Sequence, residues 1–312
     1  MPRPSEIHRQ KPLENVSIGY KPSGFIAGEL STTVPVKHES DSFYVYTKDN
    51  FRIEAGERAD GAPAVEVTFG MTTSTYTLTE FAYKDIITDR MRDNADAAIR
   101  LDIDATENLT DKVLLRREQL LGTLVGTAAN WGNATSLTST FAWSANTTLS
   151  NPIAFVDSAT TVIQRQAGKA ANVVAMDLGT FKAAKEHLSI TDRIKYTSPD
   201  SITEGMLAKL FNVGKVLVSR ASFDSSSEGI FTSTAMGFLW TDCAFVAYIE
   251  PSPGLKKASA LYTFVQEGGS APYKVRKWYD DERRGDMIEV STMFQHRAVA
   301  SDCAYLIVNT VQ

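Results

Sequence analysis

The feature that most constrains this fold is one long helix-patterned segment, residues 105–130. At a rise of about 1.5 Å per residue, roughly 26 residues would form a helix about 39 Å long. An average globular helix has only about 11 to 12 residues. Because so long a helix has to lie along an equally long surface, the segment indicates an architectural element rather than a catalytic one.

Both ends of this segment carry terminal signals. Asp104, with Glu107 three residues later, resembles a capping box, and Gly132 stands where a left-handed C-terminal cap is common. A polar belt, residues 116–119, crosses the middle of the segment. Helical spacing predicts one buried stripe, made of Leu114, Leu121, Leu124, Val125 and Ala128.

Two glycines, Gly122 and Gly126, interrupt the predicted helix. Glycine costs a helix about 1 kcal/mol relative to alanine. Their presence therefore indicates either that another element packs closely against this turn or that the helix end is weak. The sequence favours neither explanation.

Composition excludes several classes of protein. A chain of 312 residues with 43% hydrophobic and 22% charged residues can bury a sizeable core, and we expect two subdomains. The formal net charge of -5 argues against tight binding of nucleic acid by the whole chain, because that requires a basic face. The polar start, residues 1–11, resembles no secretion signal and no long apolar run follows, so we expect a cytoplasmic chain. Cys243 and Cys303 lie far apart in apolar surroundings, which predicts buried free thiols.

The first 36 residues predict an extended arm, because they contain five prolines and only scattered apolar residues. We expect this arm to lie over the body or over a neighbouring subunit, and its first dozen residues to be disordered. A candidate hairpin follows, with strands at residues 42–46 and 64–69 joined by a charged segment that contains glycine. Because an isolated two-stranded hairpin is only marginally stable, we expect this one to project from the body and to pair with another chain.

The remaining pattern is mixed. Residues 73–83 predict a strand, residues 85–99 helical or irregular structure, and residues 133–149 a polar loop. An α/β subdomain is predicted from helices at 153–166, 178–188 and 202–211 and strands at 172–176 and 215–219. Further strands are predicted at 236–240, 243–249, 260–266, 273–279, 287–294 and 304–311.

The sequence contains no glycine-rich phosphate loop, no nucleophile elbow and no zinc-binding motif, and its four histidines are dispersed. Asp280, Asp281 and Glu282 could bind a cation, but Arg283 and Arg284 follow them directly. This arrangement between two strands favours a charged hairpin turn that neutralises itself. We therefore predict no catalytic residue, no cofactor and no metal site.

The order of these parts resembles a known family. An arm containing GYKPSGFIAGE and VPVKHES precedes FYVYTKDNFRIEAGERADGAPAVEV, and residues 76–121 follow. Later come AANVVAMDLGTFKAAKEHLSITDRIKYTS and MLAKLFNVGKVLVS. In this order, the segments closely resemble the major capsid proteins of tailed bacteriophages with the Hong Kong 97-like fold.

The resemblance implies an α+β capsid fold with an N-terminal arm, an E-loop hairpin, a peripheral domain with a long spine helix, and an α/β axial domain. The implied boundaries are 1–36 for the arm, 37–82 for the E-loop and its flanking strands, 83–150 for the peripheral domain, 151–250 for the axial domain and 251–312 for the returning peripheral strands.

The implied function is structural, not enzymatic: pentamers and hexamers would form an icosahedral shell around double-stranded DNA. The resemblance places intersubunit contacts at Arg52, Glu54, Glu57 and Arg58 in the hairpin. It places further contacts near local threefold axes at Asp280, Asp281, Arg283 and Arg284. The implied partners are other copies, scaffold, portal and decoration proteins, and DNA held by weak non-specific contact, without a membrane. The implied location is the virion, after assembly in the host cytoplasm.

Some relatives join their subunits by an isopeptide bond between lysine and asparagine. Lys48 and Asn309 have the required residue types, but ordinary surface roles are favoured and we predict no crosslink. Two alternatives stay open. One is an encapsulin-type shell of the same fold; the other, more remote, is a β-rich carbohydrate-active enzyme, suggested only by the aromatic residues Trp240, Tyr248, Trp278 and Tyr279.

Overall fold

The computed structural model describes residues 23–61, 63–68, 70–95, 100–194, 202–226, 235–254, 256–267 and 273–311. The arm before residue 23, including the dozen residues expected to be disordered, lies outside this range. The described helices are α1 Ala27–Leu30, α2 Asp89–Asn94, α3 Leu101–Gly126, α4 Pro152–Ala167, α5 Leu178–Glu186, α6 Leu188–Ile194 and α7 Glu204–Leu210.

The strands fall into two larger sheets and two pairs. They are β1 Thr32–Val36, β2 Ser40–Tyr46, β3 Met71–Thr77, β4 Thr79–Thr88, β5 Ala134–Ser136, β6 Val173–Asp177, β7 Lys215–Ser219, β8 Ser222–Asp224, β9 Met236–Phe238, β10 Cys243–Ala247, β11 Leu261–Gln266, β12 Lys274–Asp280, β13 Gly285–Ala298 and β14 Ala304–Val308.

The long strand β13 organises the first sheet. It pairs antiparallel with β4, β11 and β12, and β1 adds in parallel to β11. The second sheet has the order β5-β14-β10-β6-β7. Its inner strands β6 and β10 are buried along their whole length, because helices α4 and α5 cover one face and helices α1 and α3 the other.

Helix α3 has the predicted length of 26 residues, but the predicted bounds are wrong. The N-cap position is Arg100, which makes no side-chain capping bond, so the predicted capping box of Asp104 and Glu107 lies inside the helix. The helix begins earlier because Leu101 packs against the core that contains Ile87. It ends at Thr127 in an extended conformation, so Gly132 is not its cap.

Helix α3 contributes to two separate cores. Ala105, Leu109 and Val113 pack with Ile87 of β4 and with β13. Leu121 and Val125, farther along, pack against the second sheet. The predicted stripe is therefore only partly correct. Leu121 and Val125 are buried, Leu114 and Leu124 are half-buried, and Ala128 is exposed beyond the helix end.

The predicted hairpin pairs differently from the expectation. Strand β2 is present, but residues 64–68 form no strand, and β2 pairs instead with β3, from Ser40↔Thr77 to Tyr46↔Met71. The strand predicted at 73–83 is split into β3 and β4 at Leu78, whose N–H donates to the carbonyl of Glu39. Among the described residues, the alternating pattern of 64–68 is thus left without a partner strand.

Most other predicted elements are present, with three further corrections. Residues 134–136, inside the predicted polar loop 133–149, form strand β5 and pair with β14. The helix predicted at 178–188 ends earlier, as α5 at Glu186, because the backbone of His187 is extended; the separate helix α6 follows from Leu188. Residues 85–88, predicted as helical or irregular, belong to strand β4, and residues 96–99 lie outside the described range. Both cysteines are buried free thiols, as predicted. Within the described residues, no helix is both long and apolar enough to cross a membrane.

Candidate assembly surfaces

The E-loop, residues 47–70 between β2 and β3, is closed at its base by polar contacts. The Asp49 carboxylate accepts a hydrogen bond from the N–H of Gly70 at 2.8 Å and another from the Thr47 hydroxyl. The Thr47 hydroxyl also lies 2.9 Å from the carbonyl oxygen of Gly70. The hydrogen bonds from Thr47 and Gly70 lower the pKa of Asp49, so the carboxylate stays ionised at neutral pH.

The first part of the loop contacts the body of its own chain. Lys48 forms an ion pair with Asp302 at 2.5 Å. The Phe51 ring lies so close to Gly168 that a β-carbon at this glycine would be 2.9 Å from it. The expectation of a hairpin that projects freely is therefore wrong for the segment Lys48–Phe51.

The outer part of the loop is different, because apolar side chains are exposed there. Ile53 is 98% exposed, Val65 is 52% exposed and Val67 is 47% exposed. Residues 52–59 and 63–68 have no regular secondary structure. An exposed apolar segment with a strand pattern and no partner strand is a ready site for pairing with another chain.

The four predicted contact residues of the hairpin all lie on this exposed outer part. Arg52 forms ion pairs with Asp49 at 3.3 Å and with Glu54 at 3.7 Å. Glu57 and Arg58 are exposed on the same loop. The structure thus brings Arg52 and Glu54 together. Whether any of the four contacts a neighbour stays a prediction.

The second predicted contact site is the turn between β12 and β13. The Asp280 carboxylate accepts hydrogen bonds from the backbone N–H groups of Glu282 and Arg283 at 3.1 and 3.3 Å. The Arg283 side chain lies 3.9 Å from the same carboxylate. Asp281 is exposed, and Arg284 adopts a left-handed conformation with φ of 47°. This is the self-neutralising hairpin turn that the sequence favoured.

Beside this turn lies a network of four charged side chains that the sequence does not predict. Arg92 of α2 contacts Asp102 of α3 with both terminal nitrogens, at 2.7 and 3.1 Å, and Asp286 of β13 at 2.6 Å. Lys277 of β12 lies 3.2 Å from Asp102 and 3.1 Å from Asp286. The hydrogen bond from Arg92 holds the pKa of Asp102 below its usual range. Because the four residues come from four different elements, no local pattern could have revealed the network.

The residues considered for crosslinking have separate partners in this chain. Lys48 is paired with Asp302, as described above, and the Asn309 side-chain amide donates to the Ser136 hydroxyl at 2.8 Å. The part of the chain that the structure describes contains no group of three or more histidine, cysteine, aspartate or glutamate side chains placed to hold a metal ion.

Comparisons with known proteins identify relatives over nearly the whole chain, although no family model matches. The chain is 22% identical to the major capsid protein of Burkholderia phage BcepMu, with 95% of this chain and 94% of the relative covered. Among solved structures, a phage-related protein from Bordetella bronchiseptica RB50 superposes with a TM-score of 0.70 and 22% identity, covering 93% of this chain and 94% of that one. The capsid of Cyanophage P-SCSP1u gives a TM-score of 0.69 at 12% identity, with coverage of 97% and 93%.

Proposed function

We infer that this chain belongs to the major capsid proteins of tailed bacteriophages with the Hong Kong 97-like fold, and we propose that many copies assemble into a closed shell. The family and the α+β fold predicted from the sequence are confirmed by end-to-end similarity to a phage capsid protein and to phage capsid structures. The role of the chain is structural rather than enzymatic.

The observation that carries the assembly proposal is the unpaired outer E-loop. Ile53, Val65 and Val67 are exposed on a loop that pairs with no strand in the part of the chain that the structure describes. Burying apolar surface contributes about 25 cal/mol per Å², so covering this segment with a neighbouring copy would stabilise the contact. The charged residues of the loop would determine how the loop aligns with the neighbouring copy more than how tightly the two copies bind.

We propose the finer features on the strength of the family. The shell is built from pentamers and hexamers, encloses double-stranded DNA, and assembles in the host cytoplasm before it becomes part of the virion. Scaffold, portal and decoration proteins are proposed partners, and DNA is held by weak non-specific contact, in keeping with the net charge of -5. The domain boundaries given above and the threefold contacts of Asp280, Asp281, Arg283 and Arg284 are proposals of the same kind.

The encapsulin alternative has weaker support, because the relatives named above are phage proteins. Small, tail-less, DNA-free particles from the native source would favour it. The carbohydrate-active enzyme gains no support from the same relatives, which are capsid proteins. Two of the aromatic residues that suggested it are accounted for by packing, since Trp240 is buried and Tyr248 half-buried in the core that includes Leu121.

The test is to express the full-length chain, alone and with its neighbouring genes, and to image the void-volume fraction of a size-exclusion column by electron microscopy. We expect closed particles of uniform size. A homogeneous monomer that forms no particle under either condition would contradict the proposal.

A further inference from the structure

The arm root, defined as residues 26–31, is the point where the N-terminal arm joins the body. It consists of helix α1 with one flanking residue on each side. Ile26, Ala27 and Leu30 are buried in the same core as Leu121 and Val125 of α3. The root therefore lies directly against α3, the long helix that corresponds to the predicted spine helix.

The start of the root is held by a buried carboxylate. Glu118 of α3 is 0% exposed, and one of its oxygens accepts hydrogen bonds from the N–H groups of Ile26 at 3.0 Å and Ala27 at 2.8 Å. The other oxygen lies 3.3 Å from the Ser219 hydroxyl of β7. Glu118 stands where α3 passes from one core to the other.

The end of the root is held through a chain of three hydrogen bonds, two of them buried and one partly buried. The Ser31 hydroxyl lies 2.6 Å from the Thr263 hydroxyl, which lies 2.8 Å from Nδ1 of His296. Nε2 of His296 lies 3.2 Å from the carbonyl oxygen of Arg117. A carbonyl oxygen can only accept, so Nε2 carries the proton and Nδ1 accepts from Thr263. Two consecutive residues of α3, Arg117 and Glu118, thus hold both ends of the root.

Burial raises the pKa of Glu118, and the hydrogen bonds from Ala27, Ile26 and Ser219 only partly oppose this effect. The Trp240 indole lies over Gly122, on the next turn of α3, with its Nε1 buried and without a hydrogen bond of normal geometry. The indole N–H is the smallest of the contributions that lower the pKa of this carboxyl. Because the effect of burial outweighs the effect of these hydrogen bonds, the ionised form of Glu118 is disfavoured while the root is docked.

Other charged or titratable groups lie around the root within the described residues, and one of them, Arg117, has a buried Nε atom without a hydrogen-bond partner. On α3, the Arg117 guanidinium lies 6.0 Å from the centre of the Phe294 ring of β13, and burial lowers its pKa. On β13, burial lowers the pKa of His296 to about 3, so this ring is uncharged at neutral pH. On the outer side of the root, Glu29 lies 3.9 Å from Lys215 of β7, in contact with solvent.

We propose that the arm root is a latch controlled by the charge on Glu118: the uncharged carboxyl keeps the root docked on the spine helix, and the ionised carboxylate favours a state in which the root has lifted. Lifting lets water reach the carboxylate, which removes the cost of keeping a charge in an apolar core. A rise in pH would therefore release the arm root.

The sign of the effect follows from proton linkage. The carboxyl binds its proton more tightly when the root is docked than when it is lifted, so docking is fully favoured below the ordinary carboxyl range. Docking becomes weaker as the pH rises toward the pKa that Glu118 has while the root is docked. Between these two limits one proton is released on lifting, and the equilibrium constant for lifting rises by up to about tenfold per pH unit.

The experiment is hydrogen exchange measured by mass spectrometry on the full-length protein between about pH 5 and 8, with rates corrected for the intrinsic effect of pH. We expect the protection of residues 26–31 to fall by up to about tenfold per pH unit over part of this range. Strand β6 should show no such change, because it lies in the interior of the second sheet. The measurement needs a folded chain and no shell, so it stands apart from the assembly test.

The matched variants are Glu118→Gln and Glu29→Gln. Glutamine at position 118 keeps an oxygen that can accept from Ile26 and Ala27 but carries no charge, so the root should stay protected at every pH. Glu29→Gln removes a carboxylate from the root itself, but an exposed one, and should leave the pH profile unchanged.

Root protection that does not vary with pH in the natural protein would overturn the proposal. So would a pH dependence that persists in Glu118→Gln or disappears in Glu29→Gln. If Glu118→Gln does not fold, the measurement on the natural protein is the test. Protection that depends on pH in residues 26–31 but not in β6 would support the latch. Protection that is independent of pH in residues 26–31 would reject it.

Discussion

Gly122 and Gly126 lie one turn apart on α3, yet a side chain would meet different surroundings at the two positions. A β-carbon at Gly122 would lie 3.0 Å from Nε1 of Trp240 and 3.5 Å from the carbonyl oxygen of Leu239. At Gly126, no atom lies within 4 Å of the corresponding position. Close packing thus explains the first glycine, one of the two explanations that the sequence left open, and not the second.

The pair Gly122→Ala and Gly126→Ala separates helix propensity from packing. Both changes add an alanine to α3, which favours the helix by up to about 1 kcal/mol. Only Gly122→Ala forces Trp240 to move, and overpacking of this kind typically costs about 1 to 3 kcal/mol. We expect Gly122→Ala to unfold at lower urea concentration than Gly126→Ala. Equal or greater stability of Gly122→Ala would show that the tryptophan moves aside without cost.

At the scale of single residues, the sequence correctly predicted that the cysteines are buried. It did not predict that the charged residue Glu118 is buried. Cys243 is buried as expected, and this burial raises the pKa of its thiol to about 12, so no thiolate forms at neutral pH. Glu118 belongs to the polar belt, residues 116–119, which the sequence does not predict to be buried. The N–H group of Ile26 that it accepts from is 92 residues away in sequence. No local pattern contains such a partner, because the fold alone brings the two segments together.

At the scale of elements, the charge network of Arg92 fastens the start of the spine helix. It joins α2, α3, β12 and β13 through Asp102, Lys277 and Asp286. Asp102 also lies in the first turn of α3, where a negative charge interacts favourably with the helix dipole. The network therefore stabilises both the junction of the elements and the helix start.

Replacing Arg92 by methionine should lower stability, because two aspartates would then share only Lys277. Because these side chains are partly solvated, we expect the free energy of unfolding to fall by about 1 kcal/mol or less. The decrease should be smaller at high salt, which screens the charges. Arg90→Met on the same helix is the matched control, since Arg90 is exposed and forms no ion pair with another described residue. Thermal unfolding at low and high salt measures both variants. An equal loss of stability in the two variants would contradict a stabilising role of the Arg92 network. A loss of stability in Arg92→Met that high salt does not reduce would also contradict it.

The long helix shows which properties of an element follow from sequence. Its length was correct because apolar periodicity persists over many turns, whereas its start was wrong because packing of Leu101, not a capping box, decides it. The hairpin shows the converse. Residues 64–68 have strand periodicity, but β2 pairs with β3 in the isolated chain. Periodicity identifies a segment that can form a strand and does not identify its partner.

At the scale of the whole molecule, the spine helix ties the two cores together and the outer E-loop is left uncovered. The core around Leu109 and the core around Leu121 both include side chains of α3. A change in the direction of this helix would therefore shift one core relative to the other. The arm root is held by the same helix, through Glu118, between the two cores. The arm root and the two cores are thus all held by the same helix.

The last prediction concerns the charges on the outer E-loop. We expect the double reversal Arg52→Glu and Arg58→Glu to lower the yield of closed particles several-fold, because like charges at an interface disfavour encounter and register. The charge-preserving pair Arg52→Lys and Arg58→Lys is the control and should assemble nearly as well as the natural protein. Both arginines are exposed, so single-chain stability should change little. Particle yield by light scattering and microscopy, with melting temperature measured in parallel, provides the test. An unchanged yield after reversal would remove these residues from the interface, and the exposed apolar side chain of Ile53 would then be the next position to test.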